Sequence, residues 1–373
     1  MTVAHAPQQQ LRRTALAGEH EKLGAKMVEF QGWWMPLYYH GILEEHRCVR
    51  EHVGLFDVSH MGQIFLSGPA AGPFLQWLLT NDVEQLSDGT GHYSLMLNEQ
   101  GGILDDVIVF RLGEERYLLI VNCATHERDL QWLQRHAKGR ITIDDVSDSH
   151  AILAIQGPTA PEALQHVIGQ SLAGMKRFAI QPLAAPWGPG FLSRTGYTGG
   201  EGFEVFLPNP KALLLWRKLV EVGHTVQLQP IGLGARDSVR LEAGLRLYGT
   251  DMDETTIPDE AGLEWVVAVK KGEFCGRDAL LKRRATGVTK RLVGLTMLEP
   301  GAIPRSHCPI QVEGRAVGHI TSGSMSPLLG FAVGLGSVEP SYAHSGQQLS
   351  IIIRQRAYRA QVVGLPFVPC MPT

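Results

Sequence analysis

The pattern of the sequence changes near residue 290, and this change constrains the fold of the 373-residue chain more than any other feature. Before it, helical and strand-like spacings of apolar residues follow one another. After it, only short strand-like runs remain, separated by Gly, Pro and Ser. These predicted strands are Leu292–Met297, Pro309–Val312, Ala316–Ile320, Phe331–Leu335, Leu349–Arg354 and Tyr358–Val363. The sequence therefore predicts an all-β terminal module, either a sandwich or a barrel.

The first 285 residues mix helices and strands without the strict alternation of a doubly wound sheet, which favours an α+β fold. Apolar spacing predicts helices over 71–80, 124–138, 209–222 and 232–244. The predicted strands are His92–Leu97, Ile103–Leu112, Arg116–Asn122, Ala151–Gln156, Phe191–Thr195, Gly202–Leu207 and Glu264–Val269. A glycine-containing loop joins the first two of these strands, so we expect them to form a hairpin.

Charge and cysteine content exclude several classes of protein. With 34 Lys and Arg against 37 Asp and Glu, the formal net charge is −3, which does not indicate a nucleic-acid-binding protein. No apolar run approaches the roughly 20 residues that a membrane-spanning helix needs. The five cysteines include no Cys-x-x-Cys pair, so neither a disulfide framework nor a zinc ribbon is expected. We predict a cytoplasmic protein with no nucleic-acid or membrane partner.

Glycine is abundant, at 42 residues, but it does not form the loops that bind nucleotide phosphates. The Gly-Leu-Gly sequence that starts at Gly232 lacks the third glycine of a dinucleotide-binding loop, and no Walker A sequence is present. His40 and His46 lie six residues apart, so a helix would turn them to different faces. We interpret both histidines, with Glu44 and Glu45, as surface residues and predict no metal site.

Two adjacent aspartates, Asp105 and Asp106, interrupt an otherwise apolar predicted strand, where Asp is disfavoured. Successive side chains of a strand point to opposite faces, so a regular strand cannot place both carboxylates in one acid–base dyad. One carboxylate can enter a pocket with Leu104, Ile108 and Phe110, while the other faces solvent or a turn. Alternatively, an aspartate at the strand end satisfies the preceding Gly-Gly turn. The residues alone leave these two interpretations open.

Two further segments combine glycines with polar side chains. The segment Thr195–Glu204 contains four glycines and presents a tyrosine and a carboxylate, although an ordinary hairpin turn would explain it as well. In the helix that follows Gly232, Arg236 and Arg240 are four residues apart, and Asp237 can form an i,i+3 ion pair with Arg240. The default interpretation of this helix is a solvated face crossed by salt bridges.

These segments, with several others in the same order, resemble the glycine cleavage system T-protein (aminomethyltransferase) family from about residue 16 to residue 368. The matching stretches are Phe30–Trp33, Gly54–Met61, Gly101–Asp106, Ile155–Pro158, Gly196–Gly199, Gly232–Gly244, Leu247–Gly249, Asp251–Glu254 and Thr321–Gly323. Each stretch is a moderate signal alone. Their common order and spacing make the resemblance specific.

The resemblance implies a cloverleaf-like fold, with two intertwined α+β domains and a C-terminal all-β barrel. A folate-binding region would cover 12–285, made of one subdomain from 12–55 with 147–245 and another from 56–146 with 246–285. The barrel would cover 286–373.

The resemblance also implies an activity, a co-substrate and a partner. The family transfers a one-carbon unit from the aminomethyl-dihydrolipoyl arm of the lipoylated H-protein to tetrahydrofolate, which gives 5,10-methylene-tetrahydrofolate and ammonia. Asp106 corresponds to the family's catalytic carboxylate. The folate contacts carried over by the resemblance are Met61, Tyr93, Asn122, Tyr197, Glu204 and Arg236. The alternative is a folate-dependent demethylase of the same fold that acts on a different methylated donor.

The sequence departs from the family pattern at two places and raises one question of strand register. Gly200 stands where relatives usually carry a glutamate, and Glu201 follows one position later. The tail from residue 366 contains no arginine, although relatives often have one near the end of the barrel. A simple five-residue hairpin loop would pair Ser94, rather than Tyr93, with Asp106. Bringing Tyr93 and Asp106 into one pocket therefore requires a β-bulge or a shifted turn.

Overall fold

The computed structural model describes residues 11–370. Within this range the helices are α1 (Ala17–Lys22), α2 (Ile42–Glu51), α3 (Ala71–Leu78), α4 (His126–His136), α5 (Ala160–Ile168), α6 (Asn209–Val226), α7 (Leu233–Glu242) and α8 (Arg277–Thr286). The strands are β1 (Arg12–Arg13), β2 (Lys26–Phe30), β3 (Trp33–Tyr38), β4 (Val53–Asp57), β5 (Gly62–Ser67), β6 (Thr90–Leu97), β7 (Ile103–Gly113), β8 (Arg116–Val121), β9 (Thr142–Asp145), β10 (His150–Gln156), β11 (Ile180–Pro182), β12 (Phe191–Ser193), β13 (Gly202–Pro208), β14 (Leu228–Pro230), β15 (Arg291–Met297), β16 (Pro309–Val312), β17 (Arg315–Met325), β18 (Ala332–Val338), β19 (Gln348–Ile353) and β20 (Arg356–Val363). Short 3-10 helices cover Val83–Gln85, Glu264–Val266, Val269–Lys271 and Pro340–Tyr342.

Two large sheets form the first part of the chain. One sheet has the strand order β11-β12-β13-β10-β4-β14, and the other has the order β6-β7-β8-β5-β9. A smaller sheet has the order β1-β3-β2. Most neighbours are antiparallel, whereas β1 with β3 and β14 with β4 are parallel. Helices and mainly antiparallel sheets together confirm the predicted α+β class.

The chain after residue 290 forms a closed barrel with the strand order β15-β18-β17-β16-β19-β20. Alternate residues of its strands, such as Leu349 and Ile351, point inward and are buried with Leu295, Ile310 and Val362. Closure removes the free strand edges that an open sheet would expose. Of the two all-β forms that the sequence predicted, the barrel is confirmed.

Local sequence explains where several helices begin and end. Helix α5 starts after Thr159 with a proline in its first turn, where the backbone N–H that proline lacks would have no partner within the helix. It ends at Gly169, which adopts the left-handed conformation at φ 67° that favours glycine. Helix α6 also begins with a proline in its first turn.

A hydrophobic cluster joins the two large sheets and brings their inner faces together. Phe56 and Phe206 come from one sheet, and Phe110 and Ile120 come from the other. The rings of Phe110 and Phe206 meet edge to face, with centroids 6.1 Å apart. Burying a side chain of this size stabilises the fold by about 1.5–3 kcal/mol. This apolar contact therefore fixes the two large sheets relative to each other, and with them the residues that lie on their inner faces.

The predicted strand Glu264–Val269 is wrong, because this segment forms two short 3-10 helices instead. The reason is its packing against the end of α3. The Ala268 N–H donates to the Thr80 carbonyl, and the Lys271 ammonium donates to the carbonyls of Gln76 and Asn81. A lysine that satisfies carbonyls near a helix C-terminus also interacts favourably with the helix dipole.

The interpretation of Glu45 and His46 as surface residues is wrong as well, because both side chains are fully buried. Glu45 accepts the backbone N–H groups of Tyr39, His40 and Gly41. The ring nitrogens of His46 lie 2.7 Å from Ser238 Oγ and 3.0 Å from Glu242 Oε2. Helix α2 thus turns its polar face toward α7, and hydrogen bonds compensate for the burial.

Helix α7 also differs from the solvated helix that its charges predicted. The Asp237–Arg240 ion pair is confirmed at 2.7 Å, but the side chain of Arg240 is only 2% exposed. It is buried because α7 packs Ala235 and Val239 on the cluster between the large sheets and also contacts the barrel strands β17 and β18. No helix within residues 11–370 is both long and apolar enough to cross a membrane.

Candidate active site

Glu204 lies on the face of its sheet that meets the second sheet. Along β13, Phe203 and Val205 point into the core beneath α5 and α6, whereas Phe206 points into the cluster between the sheets. Because side chains alternate along a strand, Glu204 shares the face of Phe206. Its carboxylate accepts a 2.5 Å hydrogen bond from Thr195 Oγ1, and burial raises its pKa.

Asp106 occupies the corresponding place on the facing sheet. Along β7, Val107 and Val109 point into the core on the α3 side, whereas Ile108 and Phe110 point toward the cluster between the sheets. Asp106 shares the face of Ile108 and Phe110 by the same alternation. The two carboxylates that the sequence singled out therefore lie on the two inner faces.

A β-bulge at Leu104 resolves the question of register. Met96 pairs with Asp105 and Leu97 pairs with Ile103, so Leu104 is the extra residue and Asp106 pairs with Leu95. Neither Ser94 nor Tyr93 lies directly opposite Asp106. Tyr93 is two residues from Leu95 and therefore on the same face.

This register places the tyrosine hydroxyl on the aspartate. Tyr93 Oη donates to Asp106 Oδ2 at 3.0 Å. The same bulge turns Leu104 into the core on the α3 side, so its predicted place in a pocket with Ile108 and Phe110 is wrong.

Asn122, at the end of β8, links the two aspartates. Its Nδ2 lies 2.8 Å from Asp105 Oδ1 and 2.9 Å from Asp106 Oδ1, and its backbone N–H donates to Asp105 Oδ2 at 2.9 Å. Asp105 pairs with Met96 on the α3 side of the sheet and is fully buried, so it faces neither solvent nor a turn. The two side chains leave the strand on opposite faces, as alternation predicts, but the prediction that the second carboxylate faces solvent or a turn is wrong.

The surroundings of Asp106 favour proton exchange near neutral pH. Burial and the neighbouring Asp105 raise the pKa of Asp106 to about 7, while the hydrogen bonds from Tyr93 and Asn122 oppose this shift. A carboxyl group with such a pKa can act as a base or an acid at the pH of a cell. Strongly shifted groups of this kind are typical of active sites.

Arg236 supplies an unpaired positive charge beside these groups. Its guanidinium carbon lies 4.8 Å from the centre of the Tyr197 ring, close enough for a cation–π contact. The side chain makes no hydrogen bond or ion pair with any residue of the described range 11–370, although Glu204 is near enough to act on its charge. Five N–H donors thus remain free for a planar or anionic ligand.

Met61 and Tyr197 complete the group of predicted residues. Met61 packs on the apolar cluster between the sheets. Tyr197 donates its hydroxyl to the carbonyl of Arg246, and its surroundings include both Asp106 and Arg236. The structure therefore brings Asp106 together with Tyr93 and Asn122, and Arg236 together with Tyr197 and Glu204, around one region between the sheets.

Two glycines of the turn before β13 are required by close packing. A Cβ atom at Gly196 would lie 1.9 Å from Gln156 Oε1, and one at Gly202 would lie 2.4 Å from Gln156 Cδ. The Gln156 amide in turn donates to the carbonyls of Thr195 and Phe203. The glycines therefore allow one buried glutamine to hold both ends of the turn.

The glutamate that follows Gly200 does not enter the site. Glu201 forms an ion pair with Arg194, whose Nε donates to Glu201 Oε1 at 2.8 Å. Gly200 itself is exposed. The departure from the family pattern therefore leaves Glu204 in place.

Sequence reasoning missed two residues at the edge of the site. Trp265 stacks on the Tyr93 ring with centroids 6.1 Å apart, and it is 69% exposed. The Arg246 guanidinium donates to the carbonyls of Gly244 and Ala261, which holds it near Tyr93. Because the sequence analysis predicted a strand over 264–269, it did not identify Trp265 as an exposed residue. No local sequence pattern distinguishes Arg246 as a site residue.

Comparison with known proteins connects this geometry to a family. Residues 16–271 match the family described as GCVT N-terminal domain, and residues 290–369 match the glycine cleavage T-protein C-terminal barrel domain. An aminomethyltransferase of Desulfitobacterium hafniense (strain Y51) is 44% identical over 95% of this chain and 97% of its own length. The aminomethyltransferase of Halothermothrix orenii is 42% identical over 96% of this chain and 100% of its own.

A solved structure agrees with these sequence matches. The crystal structure of glycine cleavage system aminomethyltransferase T from Bartonella henselae superposes with a TM-score of 0.90 at 36% identity. The match covers 96% of this chain and 98% of that one. The similarity therefore extends over both the sheets and the barrel.

Proposed function

Because the chain belongs to the glycine cleavage T-protein family of aminomethyltransferases, we propose that it transfers a one-carbon unit from the aminomethyl-dihydrolipoyl arm of the lipoylated H-protein to tetrahydrofolate. The products are 5,10-methylene-tetrahydrofolate and ammonia. We place the reaction in the cytoplasm, where the five cysteines, which form no disulfide within residues 11–370, would stay reduced.

The observation that carries this proposal is the position of Asp106. It is a carboxyl group with a pKa of about 7 on one inner face, with an unpaired Arg236 and a second carboxylate, Glu204, on the elements that face it. A scaffold protein would have no use for such groups between apolar sheets, where burial of each charge is costly.

The residues present fit tetrahydrofolate as the co-substrate. The Glu204 carboxylate suits the donor-rich edge of a pterin, and the free donors of Arg236 suit an acceptor or a carboxylate of the ligand. The rings of Tyr93 and Tyr197 and the apolar surface of Met61 suit its flat rings. When bound, tetrahydrofolate supplies the nitrogen nucleophile that accepts the transferred carbon.

The chain's own contribution to the chemistry centres on the two oxygens of Asp106. Tyr93 holds Oδ2 and Asn122 holds Oδ1, so the orientation of the carboxylate is set before any ligand arrives. An ionised Asp106 stabilises positive charge that develops at the reacting carbon, and it can accept a proton. Fixed donors of this kind need no reorganisation during the reaction.

Reconstitution tests the proposal. The purified protein is mixed with aminomethyl-loaded, lipoylated H-protein and tetrahydrofolate, and ammonia and methylene-tetrahydrofolate are measured. Equal amounts of both products are expected. Absence of ammonia release, together with demethylation of a methylated amine donor, would instead support the folate-dependent demethylase.

Glu204→Gln is expected to weaken tetrahydrofolate binding about 10–100-fold, measured by calorimetry. The charge-assisted hydrogen bonds to the pterin edge are lost, and bonds to charged groups are worth about 1.5–3 kcal/mol. Glu201→Gln is the matched control, because Glu201 lies on the same turn but pairs with Arg194. Equal affinities for the two variants would remove Glu204 from the site.

The pH dependence of kcat/KM is expected to show an acidic limb near pH 7. Asp106 must be ionised to act as a base, and its pKa of about 7 means that the carboxylate is lost as the pH falls through this value. The rate then decreases about tenfold per pH unit below the limb. A limb near pH 4, the ordinary value for Asp, would show that Asp106 is not the group that titrates.

A further inference from the structure

Arg128 is a charged side chain that the proposed chemistry does not use. It lies on helix α4, and its Nη2 donates to the carbonyl oxygen of Leu104, the extra residue of the β-bulge in β7. The same nitrogen donates to Tyr248 Oη at 3.0 Å, and the Tyr248 hydroxyl donates to the carbonyl oxygen of Ile103 at 3.0 Å. Two successive carbonyls at the bulge are therefore held by side chains from two other segments of the chain.

The segment that follows α7 supports the same end of β7. The Ile103 N–H donates to the Thr256 carbonyl at 2.9 Å. A Cβ atom at Gly102 would lie 1.8 Å from the carbonyl oxygen of Glu254, so this segment and the strand are in direct contact. Arg128 Nη1 donates to the carboxylate of Glu254 at 3.1 Å. Arg128 thus connects α4 and this segment to the bulge.

The bulge decides which side chain reaches Asp106. With the bulge, Leu95 pairs with Asp106, and Tyr93 lies two residues away on the same face. If Leu104 joined the ladder as an ordinary pair, Ser94 would pair with Asp106 instead. A slip of one residue turns the Tyr93 side chain to the opposite face of the sheet. The 3.0 Å hydrogen bond from Tyr93 Oη to Asp106 Oδ2 therefore depends on the bulge.

A bulge at this position needs a donor from outside the hairpin. The extra residue of a bulge is left out of the ladder of backbone hydrogen bonds. Leu104 is only 5% exposed, so its carbonyl has little access to water. A buried carbonyl without a donor costs free energy, which would favour the regular register. The guanidinium of Arg128 supplies that donor and so removes the cost.

We propose that Arg128 is a positioning residue that holds the bulge at Leu104 and thereby keeps the Tyr93 hydroxyl on the Asp106 carboxylate. This inference rests on the proposed function, because the place of that hydroxyl matters for turnover only if Asp106 acts as the base. Within the described part of the chain, Arg128 makes no hydrogen bond to Asp106. Its effect on the carboxylate therefore passes through the backbone of β7.

Other charged and titratable groups lie near Arg128 and Asp106. Asp129 Oδ1 is 3.8 Å from Arg128 Nε. The groups that surround Asp106 are Asp105 on its own strand, Cys123 after β8, Tyr197 on the turn before β13, and Arg236 and Arg246 near that tyrosine. All of these groups remain in Tyr93→Phe, so this variant isolates the path that runs through the Tyr93 hydroxyl.

The hydrogen bond from Tyr93 has a measurable effect on Asp106. Burial and the neighbouring Asp105 raise the pKa of Asp106 to about 7, and the bond from Tyr93 opposes this rise. Loss of the bond therefore raises the pKa further, by about one pH unit for a hydrogen bond to a charged group. Because the carboxylate is the form that accepts a proton, a higher pKa moves the acidic limb of kcat/KM to higher pH.

The pH profile of the reconstituted reaction tests the proposal. Arg128→Met should move the acidic limb upward by about one pH unit, so that activity below the original limb falls about tenfold and recovers at alkaline pH. In Tyr93→Phe the limb is already raised, and adding Arg128→Met should move it no further. Equal shifts in both backgrounds would show a direct effect of the arginine charge and would overturn the proposal. Arg135→Met, which removes an exposed arginine from the same helix, is the matched control.

Tyr248→Phe provides a second variant that leaves the charge of the protein unchanged. It removes the donor to the Ile103 carbonyl and one partner of Arg128, so the limb should move in the same direction. An unshifted limb in Arg128→Met would contradict the proposal. If Arg128→Met does not fold, an unshifted limb in Tyr248→Phe contradicts it instead.

Infrared titration gives a readout that does not depend on turnover. A carboxyl band that titrates near pH 7 in the wild type and is missing in Asp106→Asn reports the ionisation of Asp106 directly. Its midpoint should rise by about one pH unit in Arg128→Met, and an unchanged midpoint would overturn the proposal. If the midpoint rises but the wild type transfers no aminomethyl carbon, the link between Arg128 and Asp106 stands and the proposed function fails.

Discussion

Asp106→Asn is expected to lower the turnover of aminomethyl-loaded H-protein by about 10²–10⁴-fold, the range typical for loss of a general acid or base. The amide has the size of the carboxylate and retains one oxygen for Tyr93 or Asn122. It cannot accept a proton and carries no charge to stabilise a positive carbon. The pocket should therefore keep its shape while the chemical step is lost.

Separate measurement of binding and chemistry makes this prediction specific. Calorimetry should give an affinity for tetrahydrofolate close to that of the wild type. Single-turnover experiments should show that the rate of the chemical step has decreased. Asp144→Asn, on the exposed edge strand β9 of the same sheet, is the matched control and should leave both quantities unchanged. Near-normal turnover in Asp106→Asn would contradict the assignment of Asp106 as the catalytic residue.

Arg240→Met is expected to lower the free energy of unfolding by about 3–5 kcal/mol, the cost of leaving a buried charge without its partner. Arg240 Nη1 lies 2.6 Å from Asp251 Oδ2, and Arg240 Nη2 donates to Ser322 Oγ at 2.7 Å. Ser322 in turn donates to Asp251 Oδ1 at 2.7 Å. Because these residues lie on α7, on the loop after it and on the barrel, one buried network connects the sheet region to the barrel.

Denaturant unfolding with a double-mutant cycle checks this result. Combining Arg240→Met with Asp251→Asn removes both charges and should recover part of the loss, since no unpaired charge is left. Arg315→Met is the control, because Arg315 and Glu339 form an ion pair whose side chains are 58% and 41% exposed. Exposed pairs contribute about 0–1 kcal/mol. Equal decreases in the free energy of unfolding for Arg240→Met and Arg315→Met would contradict the proposed contribution of the buried network to stability.

The register of the β6–β7 hairpin could not be predicted from the sequence. From loop length and alternation, the sequence predicts that Ser94 pairs with Asp106. In the structure Leu95 pairs with Asp106, because Leu104 forms a β-bulge that shifts the register by one residue. Arg128 donates to the Leu104 carbonyl, and Tyr248 donates to the carbonyl of Ile103, so groups more than 20 residues away hold the bulge. No local pattern in the hairpin contains that information.

Buried polar residues were a second source of error. Glu45 and Arg240 belong to residue types that are mostly exposed, yet both are buried here, as is His46. Each has a partner from a distant segment: Glu45 accepts the Gly232 N–H at 2.8 Å, His46 contacts Glu242, and Arg240 donates to Ser322. Asp129, an acid in the first turns of α4, is fully buried as well.

By itself, the sequence determined the change to an all-β module near residue 290, the α+β character of the first part and the alternation that sends Asp105 and Asp106 to opposite sides of their strand. These features depend on the period of side chains along a strand and on the residues that break strands, which are local properties of the chain. The tertiary structure alone decided that the inner faces of the two large sheets meet and that Tyr93 reaches Asp106. Such contacts join residues far apart in sequence, and their geometry depends on how apolar faces pack together in the folded chain.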